Sequence, residues 1–256
     1  MVKEEFTMRT ELVSDEDGRH TYEVSRIWDE SKRKGLVLEL YPTLSLGRTG
    51  ELDLSSMHLL NHSMELGWGG VRVINLYSAV CDNGKPSVSQ LSYDDENMAY
   101  IEDVLESSDI EDYDIVIATG NTLSNHAVTT EIRSDIFAML LEKGLERQVF
   151  RITVEGLDTD KMPCVHPLYV GLHYGKERWR LEPFDLRQEL SAVRDTKDGK
   201  EGRDEYPSKS VEDKIGEALS DQLPDKKEEV VSTKTKGRKK KGTEKAAKKG
   251  CEEQDG

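Results

Sequence analysis

Three side chains have types and settings suited to acid–base or ligand chemistry: His166, Glu39 and Asp53. His166 precedes Pro167 in Cys164-Val165-His166-Pro167-Leu168-Tyr169-Val170. An imidazole there can donate to a ligand oxygen, because it changes charge near neutral pH; a loop histidine bonded to backbone is the alternative. Glu39 is the carboxylate of Leu36-Val37-Leu38-Glu39-Leu40-Tyr41, where burial would raise its pKa and suit it to general acid or base work. A strand-end glutamate that reaches solvent, or pairs with a Lys or Arg, explains it without chemistry. Asp53, with the hydroxyls of Thr43 and Ser45, can orient a water or a ribose hydroxyl, yet it is also placed to cap a helix. Asn75 and Asn121 each follow an apolar strand. A carboxamide there can read a base edge with its paired donor and acceptor, or simply close a strand-to-helix turn. Tyr41, Pro42, Tyr77, Gly120, Pro167 and Tyr169 lie in the same loops and complete the expected ligand-binding set.

Other spacings are weaker. His58 and His62 stand at i and i+4, which is metal-ligand spacing, but neither the glutamate of a zinc-protease motif nor a cysteine pair accompanies them, so a surface pair is expected. Gly67-Trp68-Gly69-Gly70 lacks the spacing and following helix of a phosphate loop and reads as a turn. No Ser-His-Asp or Cys-His arrangement is evident from spacing, although such sites assemble in space. No metal or cofactor is expected.

The elements that must position these residues follow from periodicity. Alternation over residues 4–13 and 18–27, across a glycine-ended turn, predicts a hairpin. Residues 36–41 form a strand apolar on both faces except at Glu39, as in a parallel strand covered on either side. A helix capped by Asp53 or Ser55 carries Leu54, Met57, Leu60 and Met64 on roughly one face and ends at Gly67. Strands follow at 71–77, 114–119 and 148–154. Between them lie helices with stripes Met98, Ile101, Val104, Leu105 and Val128, Ile132, Ile136, Met139, Leu140. Strands alternating with helices imply a three-layer α/β/α domain with a mainly parallel four-strand sheet, joined by right-handed crossovers. Ligands in such folds bind at the strand C-terminal ends, which here are the loops carrying Tyr41, Asn75, Gly120 and His166.

Composition sets the limits. Hydrophobic residues are 35% and charged residues 34% of 256, lean for a chain globular throughout. Residues 1–185 hold the patterned domain, and residues 186–256 are too polar to offset ordering the chain, so disorder is expected there. Between positions 231 and 250, nine Lys and Arg against Glu244 give +8, leaving −23 for the rest of a net −15. An acidic body repels polyanions while Lys234, Lys236, Arg238, Lys239, Lys240 and Lys241 can hold phosphate backbones nonspecifically, or merely aid solubility. Three scattered cysteines argue against a disulfide framework. No apolar run approaches the roughly 18 residues of a membrane span, nor does a signal sequence open the chain, so a cytoplasmic protein without membrane contact is expected.

In order, Arg26-Ile27-Trp28-Asp29, Leu40-Tyr41-Pro42-Thr43, Gly67-Trp68-Gly69-Gly70, Val73-Ile74-Asn75-Leu76-Tyr77, Gly120-Asn121 and His166-Pro167-Leu168-Tyr169 resemble the bacterial and phage family catalogued as domain of unknown function 1643. The resemblance spans residues 22–170, about the length of one domain. It departs where the family usually reads Leu-Asn-Pro-Ser, since Tyr41 cannot replace an asparagine's amide. More distantly, a strand ending in a proline loop with a late His-Pro stretch is similar to uracil-DNA glycosylases. That resemblance implies a water held by the first loop and a histidine that supports charge on a departing base. Fold alone does not fix function. The expectation is a nucleotide- or base-binding cleft, glycosylase-like if catalytic; the rival is a noncatalytic regulatory module, phage-encoded, whose acidic body meets a protein partner.

Overall fold

The computed structural model describes residues 1–81 and 90–191. Contacts divide the chain at Leu223, and every described residue lies in the first part. Strand β1 (Arg9–Ser14) turns back into β2 (Thr21–Ile27) in antiparallel register from Arg9↔Ile27, which is the expected hairpin. The remaining strands are β3 (Lys34–Glu39), β4 (Gly70–Asn75), β5 (Tyr113–Ile117), β6 (Val149–Thr153) and β7 (Arg180–Pro183). The helices are α1 (Leu54–Leu66), α2 (Asp95–Leu105), α3 (Ala127–Glu142) and α4 (Pro167–His173).

These strands form one seven-stranded mixed sheet of order β1-β2-β4-β3-β5-β6-β7. The four strands expected from periodicity are its parallel centre. The expected four-strand sheet is nevertheless too small, because β2 pairs antiparallel with β4 and β7 antiparallel with β6. Strand β2 is hard to recognise as an interior strand because it buries Thr21, Glu23, Ser25 and Arg26 among its apolar residues. The Glu23 carboxylate is matched by Arg72 on β4 at 2.6 and 2.8 Å and by the Tyr100 hydroxyl at 3.0 Å. Such pairing is what a buried charge requires.

Alternation along the central strands sorts their side chains to two faces. Leu36, Leu38, Ile115 and Ile117 meet Met98 and Ile101 of α2 and Ile132 and Phe137 of α3. Val37, Val116 and Ile152 meet Leu59 of α1 and Val170 of α4 on the other face. Each such fully buried side chain contributes about 1.5–3 kcal/mol. Helix α1 corrects a second expectation. Its buried residues are Ser55, Ser56, Leu59 and Ser63, whereas Leu54, Met57 and Met64 are exposed. Small serines let α1 lie close to its neighbours, and Gly171 of α4 sits so near that a Cβ there would fall 2.2 Å from the His58 ring. Trp68 is likewise accommodated by Gly35, whose Cβ would lie 2.7 Å from the indole.

The polar segment expected from residue 186 begins with helix instead. Residues 186–191 are helical, Leu186 is buried, and the Asp185 carboxylate accepts from the Arg187 and Gln188 amides at 3.0 Å each. The rest of that segment, with its lysine cluster, lies outside the described residues.

Candidate functional site

The C-terminal ends of β3, β4 and β5, the N-terminus of α1 and the loop entering α4 enclose a cavity of about 880 Å³ on the α1 and α4 face of the sheet. Its walls are largely apolar: Val24, Val73, Leu44, Met162, Val165 and Leu168 line it. Its floor is polar. Glu39 ends β3 on the same face as Val37, and Asn75, its register partner on β4, stands beside it.

Glu39 is 5% exposed and, among the described residues, pairs with no Lys or Arg. Its Oε2 lies 3.6 Å from His166 Nε2, and its Oε1 has no hydrogen-bond partner among the described residues. Burial raises its pKa well above the usual carboxylate range, and the negative charge of Asp53 adds to the rise. His166 is the N-cap of α4: its Nδ1 accepts from the Leu168 amide at 3.2 Å. That bond places the ring proton on Nε2, facing Glu39. Burial pushes the imidazole down to about 4, partly opposed by Asp53. A neutral imidazole thus stands beside a carboxyl whose proton is held more tightly than usual, a pairing suited to proton exchange. The backbone-bonded reading of His166 is met at Nδ1, which leaves Nε2 toward Glu39.

Asp53 caps α1, with Oδ1 accepting from the Ser56 amide at 2.7 Å and Oδ2 from the Thr43 hydroxyl at 2.5 Å. Both oxygens are committed to holding the proline loop against the helix. The loop is also pinned from behind, by Thr21 Oγ1 on the Leu44 carbonyl at 2.8 Å and by the Cys81 amide on the Pro42 carbonyl at 2.9 Å. Tyr41 lines the cavity, and burial with the nearby Cys81 pushes its hydroxyl up to about 12.

Of the residues singled out by sequence, Glu39, Tyr41, Pro42, Thr43, Asp53, Asn75, Gly120, Asn121, His166 and Tyr169 line this cavity. Ser45, Tyr77 and Pro167 do not. Tyr77 turns to the opposite face, where its hydroxyl lies 2.6 Å from Thr129 Oγ1, and Pro167 is buried in the first turn of α4. Asn121 is exposed at the rim and donates to the Lys161 carbonyl at 3.1 Å. His58 and His62 are packing residues rather than a surface pair: His58 abuts Gly171, and His62 stacks on Trp179 at 4.3 Å while contacting Glu65 at 3.0 Å. The sequence reading missed Thr21 and the buried Asn97, whose Nδ2 donates to the Asn75 and Leu76 carbonyls at 3.0 and 3.1 Å. No local pattern marks either, because each acts on a strand end distant in sequence.

The described residues contain no helix long and apolar enough to cross a membrane. A family model described as protein of unknown function (DUF1643) matches residues 21–168, more than half of the chain. No curated protein and no solved structure matches.

Proposed function

The chain belongs to the DUF1643 family, whose description states no activity, and from the cleft itself we propose that it binds a nucleotide or a nucleic-acid base at the strand C-terminal ends. One observation carries the reading. Glu39 and Asn75, which line an apolar-walled cavity of about 880 Å³, carry two buried oxygens, Oε1 and Oδ1, that have no hydrogen-bond partner among the described residues. Buried polar atoms are nearly always bonded, and a planar ring with a polar edge supplies both the apolar faces and the missing partners. The sharper form is glycosylase-like hydrolysis, with the proline loop holding a water and the His166 Nε2 proton supporting charge on the departing base. The protein would then work in the cytoplasm, where the lysine-rich segment at 234–241 adds nonspecific contact to phosphate backbones.

Thermal unfolding of the full chain with bases, nucleosides, nucleotides and short DNA, beside His166→Ala, tests binding. A ligand at 100 times its Kd stabilises by about 2.7 kcal/mol, and the shift is expected to vanish in His166→Ala. Absence of any shift would reject the reading. Abasic-site formation lost in the same variant would establish the catalytic form.

A second reading draws on the exposed Leu52, Leu54, Met57 and Met64 near α1: a noncatalytic, phage-encoded regulatory module that binds a protein. A partner held equally by wild type and His166→Ala, but released by charge reversal on the acidic body, would favour it.

A further inference from the structure

The floor of the cavity carries two adjacent side chains whose unpartnered atoms define what can lie there. Glu39 and Asn75 end neighbouring parallel strands as register partners, and they are 5% and 2% exposed. Among the described residues Glu39 Oε1 and Asn75 Oδ1 lack partners, while Glu39 Oε2 faces the protonated Nε2 of His166. That Nε2 stands 3.6 Å from Oε2, so Oε1 is the carboxyl oxygen that no donor among the described residues faces and the one open to carry a proton. The other charged or titratable groups lining the cavity with Glu39 are Tyr41 after β3, Asp53 at the start of α1, His166 before α4, and Tyr169 and His173 on α4. Arg26 of β2 interacts with Asp53 from behind the cavity wall, donating to the Glu51 carbonyl at 2.6 Å and to Ser56 Oγ at 3.4 Å. Among the described residues lining the cavity there is no Lys or Arg. Burial therefore disfavours a carboxylate at Glu39, and the nearby Asp53 charge acts in the same direction, with no cation lining the cavity beside them among the described residues.

We propose that Glu39 and Asn75 form one recognition pair, a donor beside an acceptor, that reads the acceptor–donor edge of an uncharged planar heterocycle, and that the cavity takes a base or nucleoside rather than its phosphates. The inference rests on the base-binding reading above and narrows it. A cis-amide edge offers its carbonyl to Glu39 and its N–H to Asn75; an amidine edge offers a ring nitrogen and an amino hydrogen in the same order. A phosphate brought into this acidic pocket meets two carboxyl groups and no cation, which disfavours it. A free nucleoside and a base unstacked from a single strand present the same edge, and the two sources differ only in what lies outside the cavity.

The test is calorimetric titration of the full chain with adenosine, cytidine, uridine and inosine, with their 5′-monophosphates and triphosphates, and with a short single-stranded DNA, from pH 5.5 to 8.5. Nucleosides should bind about tenfold or more tightly than triphosphates. Wild-type affinity should fall as pH rises through the raised pKa of Glu39, approaching about tenfold per pH unit above it. Glu39→Gln keeps a donor and an acceptor but has no proton to lose, so whatever affinity it retains should show no fall with pH. Asn75→Leu should lose the nucleosides. Tighter binding by the DNA in a chain whose 234–241 cations are replaced by alanine would assign the unstacked base as ligand, and nucleoside binding alone would assign the free form; either supports the pair. Affinity that rises with each phosphate, or a Glu39→Gln profile with the wild-type pH slope, overturns the inference while leaving base binding intact. If no heterocycle binds in any form, the inference and the base-binding reading fail together.

Discussion

At His166 the backbone and the cavity make opposed use of one ring. Nδ1 must stay unprotonated to accept the Leu168 amide, and Nε2 must carry the proton that faces Glu39. Adding a second proton breaks the helix cap and places a cation where burial disfavours it, which is why the pKa falls to about 4. The sign of the consequence follows from linkage. Above pH 6.5 the ring is neutral folded or unfolded and costs nothing; below it the unfolded chain takes up the proton first, and folded stability drops until the folded ring titrates. Asparagine caps helices well and does not titrate. Between pH 7 and pH 4, wild type should therefore lose about 3 kcal/mol relative to His166→Asn, at 1.36 kcal/mol per pKa unit. Urea unfolding across that range measures it, and parallel curves would show that the imidazole is not buried neutral. Glu39 is present in both chains and cancels in the difference.

At the scale of elements, α1 separates periodicity from packing. Its exposed stripe holds Leu54, Met57 and Met64, and its buried stripe holds Ser55, Ser56, Leu59 and Ser63. Met64→Lys should change stability by no more than about 0.5 kcal/mol, as for a surface site, whereas Ser63→Leu should cost about 1–3 kcal/mol by overpacking. Urea midpoints for the two variants decide it, and the reverse order would put the methionine face inward. The same helix shows why the sequence is legible only in places. The central strands are covered on both faces, so they read as apolar runs, and α2 and α3 present broad apolar stripes to the sheet. The strand ends, and with them most of the site from Glu39 to His166, follow from that topology. Helix α1 packs through small polar residues, which a hydrophobic stripe cannot display. Strand β2 conceals its interior position behind Glu23, whose partners Arg72 and Tyr100 are dozens of residues away. Strand β7 is four residues ending in Pro183, too short to show alternation. Tyr77 lies two residues beyond the end of β4, where the backbone has left the strand and its side chain turns to the other face.

For the whole molecule, the distribution of charge separates two ways of meeting nucleic acid. The nine cations of positions 231–250 oppose a remainder of −23, while the cavity itself presents Glu39 and Asp53 and, among the described residues, no Lys or Arg. Backbone contact through the cationic segment releases counterions and must weaken steeply with salt, whereas an uncharged ring held by Glu39 and Asn75 releases none. Each phosphate neutralised on a single strand contributes about −0.7 to the slope of log affinity against log salt. Replacing Lys234, Lys236, Arg238, Lys239, Lys240 and Lys241 with alanine should therefore flatten the slope for single-stranded DNA by up to about 4 and leave nucleoside affinity unchanged. Fluorescence anisotropy over a salt series, beside nucleoside calorimetry, reads both quantities on the same two chains. A slope unaltered by the six replacements would transfer backbone contact to the acidic body, where like charge opposes it. A parallel loss of nucleoside binding would mean that the segment contributes directly to the cavity, and the two functions would no longer be separable.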